Sequence, residues 1–250
     1  MSTPDAPATK PKKPRYAVTV SRVVDLTPRM RRVTFTGESL AAFEWSGPAA
    51  HLKLVFNADT APVLRTYTPR RFDPQTRELD VDLVLHGEGP ASTWAEQATP
   101  GQMLQIAGPG RAYAIDPAAG AFLLAADETA IPALATILAD LPASMPVQVF
   151  VELSELAQAT ALDVGHPGAS FHWLVRGAFD PTPGALLEAA VRGATLPTDA
   201  RVYVACESGA MRRIRRYFLQ ERQFPATQLT TRGYWKQGAT DHPDRDFGEE

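Results

Sequence analysis

Hydrophobic residues recur with one period before about residue 120 of this chain and with another after it, so the chain must build two kinds of sheet. From Arg15 to about Gly110 the recurrence is every second residue. Tyr16, Val18 and Val20 alternate with Ala17, Thr19 and Ser21, and Leu52, Leu54 and Phe56 with His51, Lys53 and Val55. Leu79, Val81, Leu83 and Leu85 alternate in the same way with Glu78, Asp80, Asp82 and Val84. Such alternation marks half-buried antiparallel strands. Turn signals at 36–37, 46–48, 73–74 and 100–101 separate them, and several strands at this spacing predict a small closed barrel.

Beyond residue 120 the wholly apolar run 121–126 predicts a strand covered on both faces. A helix over 130–140 follows, then strands at 147–153, 171–175 and 201–206 with a helical segment at 185–191. A helix over 209–221 and a short strand near 227–231 complete an α/β pattern, which predicts a doubly wound parallel sheet. The expected organisation is a polar, proline-rich leader (1–14), an antiparallel β-barrel domain (15–118), an α/β domain (119–232) and a C-terminal segment with an acidic end (233–250).

Charge and composition narrow the function classes. A net charge of −3 offers no global basic field for nucleic acid. The single cysteine, Cys206, excludes an internal disulfide or a cysteine-based metal cage. No apolar run approaches the roughly 20 residues of a membrane span, and the leader has no apolar signal core. The expectation is a cytoplasmic monomer with no membrane anchor.

Two segments carry chemistry. Arg65, Thr66, Tyr67 and Thr68 end a predicted strand just before Pro69, and Arg65 and Tyr67 project to one face. An arginine fork suits phosphate, a tyrosine ring lies flat on a planar heterocycle, and Thr68 offers a hydroxyl near the turn. A surface arginine beside a core tyrosine would read the same. In the segment 86–95, HGEGPASTWA, two glycines permit a tight turn and Pro90 suits the first turn of a helix. Its N-terminus is a natural seat for a pyrophosphate, with Ser92 adding a hydroxyl donor. Any strand-to-helix turn shares part of this pattern, and His86 alone reads as structural.

With HLKLVF (51–56), GPGR (108–111), DETAIPAL (127–134) and GYWKQG (233–238), these segments resemble the siderophore-interacting proteins, in order, from about Arg15 to Gly238. These are FAD-containing ferric-siderophore reductases of the ferredoxin-reductase-like superfamily. The resemblance implies that Arg65, Tyr67 and Thr68 surround the flavin ring and its phosphate. It places His86, Gly89, Ala91 and Ser92 along the ribityl–pyrophosphate portion, and Asp127, Glu128, Thr129 and Ala130 at the adenine end. It also implies that the segment from 233 folds back toward the flavin.

A flavin bridges a two-electron nicotinamide donor and a one-electron Fe(III) acceptor. The implied partners are a ferric siderophore and NADPH or NADH, with reduced ferredoxin as another donor. A tris-catecholate complex is strongly anionic, so Lys53 and Lys236 are expected to form a cationic shelf above the ring, with Arg111 a further candidate. The alternatives are a flavin-dependent NAD(P)H oxidoreductase with another acceptor and a non-catalytic flavin or siderophore carrier.

Three features bear on the nicotinamide site. Arg212, Arg213, Arg215 and Arg216 share a helix with buried Ile214, Tyr217 and Phe218, which suits a dinucleotide phosphate better than nucleic acid. No G-x-G-x-x-G opens the second domain; Asp127 and Glu128 stand there and would repel a pyrophosphate. Cys206 reads as a buried structural thiol.

Overall fold

A computed structural model of the chain describes residues 14–57, 60–87, 89–163, 165–177, 182–240, 242–243 and 246–248. The leader, apart from Pro14, and Glu88 of the glycine-rich segment lie outside the described residues.

The N-terminal half forms one antiparallel sheet from β1 (Arg15–Thr27), β2 (Met30–Thr36), β3 (Leu52–Phe56), β4 (Val63–Tyr67), β5 (Pro69–Asp73), β6 (Glu78–Val84) and β7 (Met103–Ala107). Its order is β4-β3-β7-β1-β2-β6-β5, so the two edge strands are consecutive in sequence and separated only by Thr68. A sheet whose opposite edges are one kinked piece of chain must roll up. The barrel is therefore closed by the covalent turn at Thr68. Pro69 reinforces the break, since it lacks an N–H for a ladder.

Period-two residues fill the interior: Val18, Val20, Val33, Phe35, Leu52, Leu54, Leu79, Val81, Leu83 and Ile106 are all buried. Helix α1 (Pro90–Glu96) packs Ala91 and Ala95 into this core. Its Trp94 ring stacks on Phe35 at 6.1 Å and meets Phe56 at 5.7 Å.

The second half alternates β8 (Phe122–Asp127), α2 (Ile131–Asp140), β9 (Val147–Leu153), β10 (Ala169–Val175), α3 (Ala185–Gly193), β11 (Arg201–Glu207), α4 (Ser208–Arg216) and β12 (Leu229–Trp235). The strands are parallel, in the order β10-β9-β8-β11-β12, with the topological switch between β8 and β11. All six residues of β8 are buried, as its apolar run requires. Phe122, Leu124 and Val149 meet α2 through Ile131, Leu134 and Ile137. On the other face Leu123, Val202 and Val204 meet Leu187 and Val191 of α3 and Met211 and Ile214 of α4.

Two boundaries differ from the sequence reading. The helix expected over 209–221 is α-helical only to Arg216 and continues as a π-turn over Tyr217–Glu221, which places Phe218 in the core. The last strand continues to Trp235, because β11 supplies a parallel partner as far as Glu207. Residues 233–235 are thus sheet, and the C-terminal segment starts after them.

The polar face of β2 and β6 does not meet bulk water. Asp82 is buried and takes both fork nitrogens of Arg32, at 2.6 and 2.8 Å. Arg32 also reaches Asp163 of the second domain at 3.0 Å, and Arg70 pairs with the same carboxylate. Thr27 donates to Gln158 at 2.5 Å. The alternation in β6 therefore separates barrel core from domain seam. No helix among the described residues is long and apolar enough to cross a membrane.

Candidate functional site

Arg65 and Tyr67 stand opposite Leu54 and Leu52 in the β3–β4 ladder, and directly opposed residues share a face. The guanidinium of Arg65 donates to the Leu64 carbonyl at 2.9 Å and to the Thr240 carbonyl at 3.4 Å, which brings the segment after β12 onto the barrel. Tyr67, like Leu85 and Trp94, packs against the barrel core. Burial pushes its phenol up to about 12, against the pull of Arg65. Thr68 is buried at the kink between the two edge strands.

The turn from β6 into α1 lies against the same cluster, through Leu85 and Ala91. Gly87 and Gly89 adopt φ of 76° and 84°, which only glycine accepts without strain. No heavy atom lies within 4 Å of a side-chain position at Gly87. Pro90 at the first position has no N–H, and Thr93 N–H is bonded to the Gly89 carbonyl. The amides of Ala91 and Ser92 stand at the positive end of the helix.

The Ser92 hydroxyl, read in the sequence as a donor at the pyrophosphate seat, is buried and faces the turn. The oxygen accepts from His86 N at 2.9 Å and Gly87 N at 3.2 Å, and the hydrogen goes to Glu96 at 3.3 Å. The Ser92 hydroxyl is thus engaged within the turn.

The carboxyl edge of the parallel sheet holds four acidic residues in internal roles. Asp127 Oδ1 accepts from the N–H and hydroxyl of Thr129, at 3.0 and 2.5 Å. Its Oδ2 accepts from Glu207 N at 2.9 Å and from the Trp235 indole at 2.8 Å. Burial, followed by the nearby Glu128 charge, raises its carboxyl to about 6. Glu128 pairs with Arg176 at 2.9 Å, and Arg176 also contacts the buried Glu152. Glu152 accepts from Gly184 N and Leu187 N at the start of α3, and Glu207 from Ala210 N in α4.

These bonds bear on two expectations. Asp127 and Ala130 are buried, and the contacts of Asp127 are internal, tying the sheet edge together where the resemblance places an adenine. The acidic pair that would repel a dinucleotide is likewise committed to Thr129, Trp235 and Arg176. Cys206 is buried beneath them, its thiol raised well above its ordinary value by burial and then by Asp127, Glu207 and Glu152.

Three of the four arginines in the basic run of α4 are engaged by the protein itself, while Arg216 is exposed. Arg212 bonds Ser208 at 2.6 Å and Asp246 at 2.9 Å, Arg213 bonds Glu188 at 2.7 Å, and Arg215 reaches Thr231 at 3.4 Å. Of the proposed substrate cations, Lys53 stands opposite Thr66. By strand alternation Lys53 thus stands on the other face of the β3–β4 pair from Arg65 and Tyr67. Arg111 is exposed, and Lys236 is exposed in the turn after β12, where Gln237 N donates to Glu207 at 3.3 Å.

The family model of the siderophore-interacting FAD-binding domain matches residues 19–61 and 56–113, and that of the siderophore-interacting proteins matches 119–238. The chain belongs to the siderophore-interacting protein family. A siderophore utilization protein from T. fusca is 31% identical, with a TM-score of 0.84 over 93% of this chain and 97% of that one. The ferric vibriobactin reductase ViuB of Vibrio cholerae is 29% identical over 83% of this chain and 84% of its own length. A ferredoxin NADP+ reductase from Neisseria gonorrhoeae, 14% identical, shares the fold with a TM-score of 0.68 over 88% of this chain and 99% of its own. The barrel of this siderophore-interacting protein thus belongs to an FAD-binding family.

The residues present fit that cofactor. Arg65 and the α1 amides supply positive ends for a pyrophosphate, Tyr67 supplies a half-buried ring, and Gly87 leaves open space where a side chain would intrude. Sequence reasoning missed Tyr203, Tyr234 and Trp235 of this siderophore-interacting protein. The last two lie inside GYWKQG, whose lysine alone was singled out.

Proposed function

We propose that this chain is an FAD-dependent ferric-siderophore reductase that takes electrons from NADPH or NADH, releasing iron as Fe(II). The observation that carries the reading is that the Arg65–Thr68 strand and the turn into α1 border one hydrophobic cluster, through Tyr67, Leu85 and Ala91. An arginine, a planar ring and a helix N-terminus at one site suit a flavin with its pyrophosphate. When bound, FAD supplies the conversion of a two-electron hydride donor to one-electron reduction of iron.

The protein residues have separate tasks in this reading. Arg65 and the Ala91 and Ser92 amides hold phosphate, while His86, Gly89 and Ser92 maintain the turn that aims those amides. Tyr67 and Thr68 orient the ring. Lys53 and Lys236, with Arg111 as a third cation, attract an anionic ferric siderophore to the rim, and the iron arrives already chelated as substrate. The reductase name carried by ViuB supports the assignment of substrate class.

The test is anaerobic turnover of the purified yellow protein with NADPH, NADH or reduced ferredoxin, with ferric siderophore as acceptor and a ferrous chelator as trap. Bleaching of the flavin followed by Fe(II) capture is expected. A protein that binds no FAD, or one whose flavin none of the three donors bleaches, removes the enzyme reading.

A further inference from the structure

A doubly wound domain seats the phosphates of a dinucleotide at its switch point, on free N–H groups of the helices that start there. Two helices start beside the β8–β11 junction, and the protein's own groups engage both. At the entry to α2, Thr129 N donates to Asp127 at 3.0 Å, Ile131 N donates to the Glu128 carbonyl, and Pro132 has no N–H. Ala130 and Ile131 are fully buried.

At α4, Ala210 N donates to Glu207 Oε2 at 2.9 Å, and Gln237 N reaches Glu207 Oε1 at 3.3 Å. Ser208 and Ala210 are fully buried. A second carboxylate on this turn comes from beyond residues 119–238, the span that matches the family model. Asp246 is buried, and its Oδ2 accepts the Ser208 hydroxyl and lies 3.0 Å from His242 Nε2. Its Oδ1 accepts from Arg212 at 2.9 Å and from Gly248 N at 3.1 Å, while Arg212 also donates to the Ser208 oxygen at 2.6 Å.

Gly233, the first residue of GYWKQG, makes room for that carboxylate. Its N–H donates to the Asp246 carbonyl at 2.8 Å, and a side chain there would come within 2.5 Å of Asp246 Oδ2. A hydroxyl, an arginine fork and a helix start are the partners that a phosphate takes. Here a carboxylate holds them, and an arriving pyrophosphate would meet the negative groups of Glu207 and Asp246.

We propose that Glu207 and Asp246 are specificity-determining residues for the electron donor. They close the first turn of α4 to the pyrophosphate of a dinucleotide, so the donor is taken by its dihydronicotinamide ring alone. The inference rests on the reading of NADPH or NADH as donor. The ring suffices for the chemistry: its C4–H bond breaks, the hydrogen leaves as hydride with both bonding electrons, the ring is oxidised to a pyridinium and the flavin is reduced.

The experiment compares NADPH, NADH and reduced nicotinamide riboside, which has no phosphate, as anaerobic reductants of the FAD-loaded full chain. Each rate constant is normalised to that of the same reductant with free FAD. Values within about 10-fold of one another are expected, since two charge-assisted hydrogen bonds to a pyrophosphate would favour the dinucleotides by on the order of 100-fold or more. Calorimetric titration with NADP+ is expected to give a Kd weaker than about 1 mM. Asp246→Ala releases the Ser208 hydroxyl and the Arg212 fork, whose side chain is 39% exposed. It is expected to bind inorganic pyrophosphate about 10-fold more tightly than wild type. Asp246→Asn, which keeps the volume and removes the charge, stands in if the alanine variant folds poorly, with a gain in the same direction.

A dinucleotide preference above about 10-fold, or a Kd for NADP+ tighter than about 1 mM, overturns the inference. So does a folded Asp246 variant that gains nothing for pyrophosphate. A chain that takes up no FAD overturns the flavin reading and the inference with it. A yellow protein bleached by reduced ferredoxin and by none of the three reductants overturns the nicotinamide reading and the inference, and leaves the flavin reading standing.

Discussion

The indole N–H of Trp235 donates to Asp127 Oδ2 at 2.8 Å, tying the end of the last strand of the parallel sheet to the end of the first across β11. Glu207, at the end of the intervening strand, donates its backbone N–H to the same oxygen at 2.9 Å. One buried carboxylate thus gathers three strand ends at the switch point, where a doubly wound sheet receives its ligand.

That carboxylate is held at a cost which depends on pH. Its folded value, raised to about 6, lies above the usual value for an unfolded aspartate. The folded state therefore holds the proton more tightly, and this group's contribution to stability falls as pH rises through the window from about 4 to 6. A shift of that size corresponds to about 3 kcal/mol. Asp127→Asn presents an amide to donors and is expected to destabilise at every pH. Its penalty is expected to be largest near pH 4 and to shrink toward pH 7, where the wild type carries the buried charge. Denaturant melts of both proteins across this range check it, and a pH-independent penalty would refute the assignment.

Ser92 shapes the turn before α1, and removing its hydroxyl leaves two loop amides without their acceptor. Ser92→Ala is expected to lower apoprotein stability by about 1–2 kcal/mol and to weaken FAD binding by about 10-fold. Fluorescence titration and denaturant melts measure the two effects. Weakened FAD binding with unchanged apoprotein stability would mean that Ser92 contacts the phosphate directly.

Both layers of the fold were legible because each rests on local periodicity: alternation in Leu79, Val81 and Leu83, and continuous apolarity in 121–126. Closure at Thr68 was half visible, in the Thr-Pro break, but its consequence depends on sheet order, which no local pattern contains. The burial of Asp82 and Ser92 was hidden for a related reason. A polar residue on an alternating strand or in a helix's first turn normally faces water, and only the packing of the second domain, or the folding of the turn over it, reverses that. Tyr203 and Tyr234 were illegible as a pair because they lie 31 positions apart, on two strands that only the sheet order makes neighbours.

Cys206 is sealed under the acidic edge, its Sγ 3.5 Å from the Glu207 carbonyl. A thiol held protonated among three carboxylates is a poor nucleophile. Native protein is expected to resist alkylation for hours, with stoichiometric labelling only in denaturant, as read by intact mass. Cys206→Ala is expected to cost about 1–2 kcal/mol of stability while leaving flavin reduction by the donor unchanged. A slowed reductive half-reaction would instead place the sulfur near the transferred electrons.

Lys53 lies in β3 opposite Thr66 and Lys236 in the turn after β12, and Arg65 of β4 is tied to the segment after β12 through Thr240. If together they attract an anionic ferric chelate, the effect is mainly long-range and screened by salt. The Lys53→Ala, Lys236→Ala double variant is expected to raise KM for a tris-catecholate substrate by about 10-fold at low ionic strength, with kcat little changed. The difference from wild type is expected to shrink by 0.5 M salt and to vanish for an uncharged ferric chelate. Steady-state Fe(II) trapping under these conditions decides it. Equal losses for charged and neutral substrates would mean that the lysines support the structure of the rim and do not recognise charge.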